Sequence, residues 1–109
     1  MTYPLAFSTW GKEEVDAIQR VIDTDMYTMG KHVKQFEKEF AEIFGSPHAI
    51  MVNSGSSANL LMLSLLKWKY KLSGDIIVPV VGWATTFFPV SQNGFKLNFV
   101  DVDPNTWNI

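Results

Sequence analysis

Apolar stripes at helical spacing alternate with short β-branched runs along this chain, and the alternation is the feature that most constrains its fold. Helices are predicted over residues 12–25 and 31–44, with Gly45 placed to end the second one in a left-handed conformation. A buried strand is predicted at His48–Val52. The apolar segment Ala58–Leu66 predicts a helix that is buried on more than one side.

The second half of the chain continues the alternation. Ile76–Val81 predicts a strand, and Thr85–Asn93 predicts a short helix that stops at Gly94. Lys96–Val102 predicts a third strand before the turn at Asp103-Pro104-Asn105. Strands that alternate with helices in this way are typical of the α/β class with a parallel sheet.

Composition excludes several classes of function. The chain has 109 residues, 47% of them hydrophobic, which is enough for one small domain. A formal net charge of −2 gives no positive field for nucleic acid or an anionic membrane, so we expect neither as a partner. The chain has no cysteine, and His32 and His48 have no ligand partners at useful spacing, so no metal site is expected. Residues 1–14 lack the pattern of a secretory signal, and a cytoplasmic location is expected.

The stretch VNSGSSANLL, residues 52–61, places small and polar residues where a strand is predicted to feed a helix. Ligands of parallel sheets bind beyond the carboxyl ends of strands, and free N–H groups at a helix start attract phosphate. Gly55 permits close approach of the backbone, and Ser56 and Ser57 add hydroxyls. The same residues are equally consistent with a serine, Ser54 or Ser56, that only caps the helix.

A second candidate segment, VVGWATTFFP, follows the strand predicted at Ile76–Val81 and is expected to open on the same edge of the sheet. Trp83 directly follows Gly82 at the strand end, where an indole is expected to face the crevice and stack on a flat ring. Phe87 and Phe88 are instead predicted to belong to the core.

These segments together resemble the DegT/DnrJ/StrS family of pyridoxal-phosphate-dependent nucleotide-sugar aminotransferases. The similarity is carried by TMGKHVKQFEKEFAEIFG, VNSGSSANLL, IIVPVVGWATTFFPV and FVDVDPNTWNI, in the family's order. The sequence segments STW, YTMG and SGSSANLLML are most similar to the family's sugar 3-dehydratase branch. The resemblance implies a fold type I aminotransferase, with residues 1–109 as the amino-terminal part of its large PLP-binding domain: a three-layer α/β fold with a parallel or mixed sheet.

The resemblance also assigns residues to the cofactor. Gly55, Ser56 and Ser57 match the positions that hold the phosphate of pyridoxal 5'-phosphate or pyridoxamine 5'-phosphate, and Trp83 matches the position that stacks on its ring. Residues 28–30, which are Thr28, Met29 and Gly30, match a loop near the substrate in a dimer. No catalytic residue is expected within this chain, because the Schiff-base lysine, or the histidine that replaces it in the dehydratase branch, lies further downstream in the family.

The implied function is a PLP-dependent aminotransferase that acts on a nucleotide-linked keto sugar, with an amino donor such as glutamate and a homo-oligomeric, dimeric assembly. Two alternatives remain open: a PLP-dependent sugar 3-dehydratase of the same family, and a non-catalytic α/β module that binds a small phosphorylated ligand. The many apolar elements in so short a chain predict exposed apolar patches and self-association.

Overall fold

The computed structural model describes residues 3–109, so the first two residues of the amino-terminal stretch discussed above lie outside the described part. The chain forms two compact units that divide between Met51 and Val52. Four helices and two strands make up the regular structure of the described residues. Among these residues no helix is both long enough and apolar enough to cross a bilayer.

The first unit contains the two predicted amphipathic helices, α1 (Lys12–Ile22) and α2 (Lys31–Ile43). Helix α1 begins after Gly11, whose N–H donates to the Glu14 carboxylate at 2.7 Å, so one free donor of the helix start is satisfied. Both helices end close to the predicted positions. Gly45 follows α2 with a φ of +62°, the left-handed conformation that its sequence position predicts.

The predicted strand at His48–Val52 is wrong, because no strand forms there. A strand requires a neighbouring backbone that accepts and donates hydrogen bonds. The N–H of Met51 donates instead to the Glu37 carboxylate of α2, at 2.8 Å. A short apolar run is therefore insufficient to predict a strand where no paired backbone is available.

The second unit contains α3 (Gly55–Trp68), β1 (Asp75–Pro79), α4 (Ala84–Gln92) and β2 (Lys96–Val100). The two strands are parallel neighbours, in a register that pairs Asp75 with Lys96 and Pro79 with Val100. Helix α4 joins the strands and packs against both of them and against α3. The α/β class and the parallel pairing are confirmed, with two strands in place of the predicted three.

The interior of the second unit is small and includes one buried polar side chain. Val78 of β1 and Val90 of α4 are buried, and so is Asn93, which ends α4. Phe87 of α4 packs edge-to-face on Phe99 of β2, with ring centroids 5.2 Å apart. Phe88, which was predicted to lie in the core, is exposed instead.

Helix α3 differs most from its predicted environment. Its apolar sequence predicted burial on more than one side, but it has no fully buried residue. Leu61 and Met62 are more than half exposed, at 53% and 56%. An all-round apolar helix requires neighbours on several sides, and among the elements of the described residues α3 packs only against α4. The predicted exposed apolar patches are present in this structure.

Candidate functional site

The turn before α3 contains an ordered network of small polar side chains. The hydroxyl of Ser54 caps the helix by accepting from the Ser57 N–H at 3.2 Å. The Ser57 hydroxyl donates to the Asn53 side-chain oxygen at 2.6 Å. Two serines were candidates for the N-cap, and Ser54 is the one that caps the helix. The Ser56 side chain takes no part in this network.

Some backbone N–H groups at the start of α3 donate hydrogen bonds within the described residues, and others do not. Intrahelical hydrogen bonding begins when Ala58 donates to the Ser54 carbonyl at 3.1 Å. The N–H of Ser57 is held by the cap, whereas those of Gly55 and Ser56 have no acceptor among residues 3–109. These two N–H groups lie at the positive end of the helix dipole, where an anionic group is stabilised.

Space is available beside this turn. A Cβ atom added to Gly55 would meet nothing within 4 Å. Ser56 is also exposed. The described part of the chain therefore leaves room for a ligand group next to the two free N–H groups. An anionic group such as phosphate fits these donors, because they are paired with no carboxylate and are reachable from solvent.

Trp83 precedes α4 as its N-cap residue, and its carbonyl accepts from the Thr86 N–H at 2.9 Å. Its indole is 70% exposed, so the prediction that Trp83 avoids the core agrees with the structure. Gly82 lies close to the aromatic ring of Phe87, where an added Cβ would be 3.3 Å from the Phe87 Cζ atom. This close packing fixes the backbone immediately before Trp83.

The first turns of α3 and α4 are joined by Asn59, which sequence inspection did not single out. Its side-chain amide donates to the Thr85 carbonyl at 3.4 Å. In a regular helix this carbonyl would receive the N–H of residue 89, but that residue is Pro89 and has no N–H to donate. The signal that could have identified Asn59 is the proline four residues after Thr85.

The other loop assigned by resemblance, Thr28-Met29-Gly30, belongs to the first unit. Thr28 and Gly30 line an apolar groove of about 680 Å³ whose walls come from α1, α2 and the segment between them. Gly30 is the N-cap residue of α2, in an extended conformation, and Met29 is exposed. The role of this loop near a substrate stays a prediction.

Several known proteins are similar to this chain in sequence. The sequence pattern of the DegT/DnrJ/EryC1/StrS aminotransferase family matches residues 8–109. GDP-4-keto-6-deoxy-D-mannose 3-dehydratase of Yersinia pseudotuberculosis is 53% identical over the whole chain, which covers 29% of that enzyme. The dTDP-3-amino-3,6-dideoxy-alpha-D-galactopyranose transaminase of Aneurinibacillus thermoaerophilus is 33% identical over 90% of the chain, which covers 26% of that enzyme.

The fold is also shared with solved enzymes. The E. coli GDP-4-keto-6-deoxy-D-mannose-3-dehydratase, solved with bound hydrated PLP, superposes with a TM-score of 0.87 over 99% of this chain at 53% identity. The chain corresponds to 29% of that structure, so it spans less than a third of the length of these relatives. The sequence match covers residues 8–109, and the structural match covers 99% of the chain. The chain therefore belongs to the DegT/DnrJ/EryC1/StrS aminotransferase family.

Proposed function

We propose that this chain is the amino-terminal part of the large domain of a PLP-dependent enzyme that modifies a nucleotide-linked keto sugar. The observation that carries the proposal is the start of α3, where two free N–H groups lie beside an open space, in a family member whose solved relative binds PLP. The complete enzyme is proposed to be a cytoplasmic homo-oligomer.

Gly55 and Ser56 are proposed to hold the cofactor phosphate through their backbone N–H groups, with the Ser56 hydroxyl as a third donor. Ser57 is proposed to support them, since its own N–H and hydroxyl bind Ser54 and Asn53. Trp83 is proposed to stack on the flat face of the ring, which its exposure permits. When bound, pyridoxal phosphate supplies an electron sink for reactions at carbon atoms next to the attached nitrogen.

Two reactions are consistent with the family, and they differ in the residue that carries the cofactor. The sequence resemblance alone predicts an aminotransferase. The two dehydratase comparisons are both at 53% identity, against 33% for the transaminase, and this difference favours a sugar 3-dehydratase. We therefore propose dehydration at C3 of a GDP-linked 4-keto-6-deoxy sugar, with glutamate as amino donor, and keep transamination as the second candidate.

The test begins with the reading frame that encodes this chain. A histidine at the cofactor-carrying position of the encoded protein supports the dehydratase, and a lysine supports the aminotransferase. The purified protein is then incubated with GDP-4-keto-6-deoxymannose and glutamate, and the sugar product is analysed by mass spectrometry. Loss of the C3 hydroxyl supports dehydration, and gain of an amino group supports transamination. A protein that binds no PLP and forms neither product contradicts the proposal and leaves the non-catalytic binding module.

A further inference from the structure

The pair of helices α3 and α4 is held by polar contacts at two separate places. At one end, Asn59 of α3 donates to the Thr85 carbonyl at the start of α4. At the other end, the Ser64 hydroxyl of α3 lies 2.9 Å from the side-chain oxygen of Asn93, which ends α4. The two helix starts therefore have a contact of their own, in addition to the contacts of Asn93 with Ser64 and with the Leu60 carbonyl.

The hydrogen bond between Asn59 and Thr85 lies next to the residues that are proposed to bind the cofactor. Asn59 follows Gly55 by four residues and Ser56 by three, so it lies on the same face of α3 as both. Thr85 follows Trp83 by two residues. The hydrogen bond thus joins the segment that carries the two free N–H groups to the segment that carries the exposed indole.

Pro89 explains why a side chain makes this contact. The missing N–H of Pro89 leaves the Thr85 carbonyl without its regular helical donor. Thr85 is exposed to solvent, and its carbonyl accepts instead from the amide of the half-buried Asn59 side chain. The proline in α4 and the asparagine in α3 therefore form one unit of structure, although they lie on different helices.

We propose that Asn59 is a positioning residue: by donating to the Thr85 carbonyl it holds the Gly55-Ser56 turn and the Trp83 ring at one fixed separation. The inference rests on the proposed function, because that separation matters only if one ligand contacts both. Asn59 itself needs no contact with the ligand. It acts through the relative placement of two helix starts.

The first experiment uses the complete enzyme and the variant Asn59→Leu, which keeps the branched shape of the side chain and removes the donor. We expect PLP to bind about threefold to tenfold more weakly, the range for loss of one net hydrogen bond. The visible circular dichroism of the bound cofactor should change as well, since it reports how the ring is held. Asn59→Gln, which keeps an amide on a longer side chain, should recover part of the affinity.

The matched control is Ser64→Ala, which breaks the tie at the far end of the same helix pair. This change leaves a buried oxygen of Asn93 with one partner fewer, so it should lower stability at least as much as Asn59→Leu. PLP affinity and the dichroism signal should nevertheless stay at the wild-type level. Equal loss of affinity in the two variants, or none in Asn59→Leu, would overturn the positioning role.

A second background tests the route through Thr85. In Pro89→Ala the backbone regains an N–H that can donate to the Thr85 carbonyl, so the Asn59 amide becomes dispensable there. We expect Asn59→Leu to change PLP affinity less than twofold in this background, below the net value of one hydrogen bond. An undiminished effect would show that Asn59 does not act through this carbonyl. If the wild-type enzyme binds no PLP at all, the proposed function fails, and the positioning role fails with it.

Discussion

The hydroxyl of Ser64 in α3 lies 2.9 Å from the side-chain oxygen of Asn93 at the end of α4, in a part of the second unit that is largely shielded from solvent. Asn93 is only 6% exposed and also donates to the Pro89 carbonyl at 2.9 Å. Burial of an amide is tolerated only when its groups are paired. The contact between these two residues therefore stabilises the packing of α3 against the carboxyl end of α4.

We expect Ser64→Ala to lower the free energy of unfolding by about 1 to 3 kcal/mol, the usual penalty for a buried polar atom that loses a partner. Urea titration followed by circular dichroism measures the change. Ser91→Ala is the control, since Ser91 is an exposed serine of α4 whose side chain has no hydrogen bond among residues 3–109. Equal effects of the two substitutions would contradict the importance of the Asn93 contact.

Gly94 is predicted to tolerate substitution worse than Gly45. Both have a positive φ, +70° and +62°, so alanine costs backbone strain of about 1 kcal/mol at either site. Only at Gly94 does the added Cβ also approach Lys67 Nζ, at 2.9 Å, whereas at Gly45 it meets nothing within 4 Å. Lys67 would have to leave the Asn93 carbonyl that it contacts. A lower melting temperature for Gly94→Ala than for Gly45→Ala confirms this reasoning, and equal values contradict it.

Substitutions at the proposed cofactor site should separate binding from folding. Gly55→Val places a branched side chain in space that is empty in the chain itself, so we expect little change in stability but a severe loss of PLP after dialysis of the complete enzyme. Gly55→Ala is the smaller matched change and should lose less. Trp83→Ala removes stacking of about 1 kcal/mol and should reduce occupancy less than Gly55→Val. Unchanged occupancy in Gly55→Val would show that the phosphate site is misplaced.

The turn after β2 is expected to loosen in acid. Hydrogen bonds from the Thr106 and Asn105 N–H groups to Asp103 hold the pKa of its carboxyl below the ordinary value. The stabilisation is therefore complete above the unfolded-state pKa of about 3.9 and is lost as the pH falls through the lower folded-state value. The amide NMR shifts of Asn105 and Thr106 should move in that range. Asp103→Asn keeps the acceptor without titrating, so a persisting transition in that variant would contradict the assignment.

The isolated 109-residue chain is expected to self-associate. Large apolar side chains are exposed in both units, among them Phe44, Leu61, Trp68 and Trp83. Surfaces of this kind are rarely left open on a soluble monomer. Sedimentation velocity at increasing protein concentration measures the assembly. A single monomeric species at high concentration would contradict the expectation.

The helices were predictable from sequence because each carries local signals. Periodic apolar residues identified α1 and α2, and Gly45 and Gly94 marked helix ends that the structure confirms. The strand at His48–Val52 was mispredicted because pairing is a property of two segments, and no local pattern reveals whether the Met51 N–H will find a strand or a carboxylate.

The candidate site shows the same limit. The start of α3 and the exposed Trp83 could be identified from letter patterns alone. The different roles of Ser56 and Ser57 could not be predicted, since they depend on which hydroxyl reaches Asn53. Nor could the link from Asn59 to Thr85, which joins residues far apart in sequence and depends on the geometry of two packed helices.

The parallel pairing of β1 with β2 also bears on the order in which the second unit folds. Only one helix and two short connections separate the strands, and α4 packs on both of them, so β1, α4 and β2 form one continuous β–α–β unit. Helix α3, by contrast, docks on α4, through the contacts of Asn59 with Thr85 and of Ser64 with Asn93. The ribosome releases α3 first, yet α3 must wait for residues synthesised later before it has a surface to join. We therefore infer that the strand pair and α4 form first, and that α3, which precedes them in the sequence, docks on them afterwards.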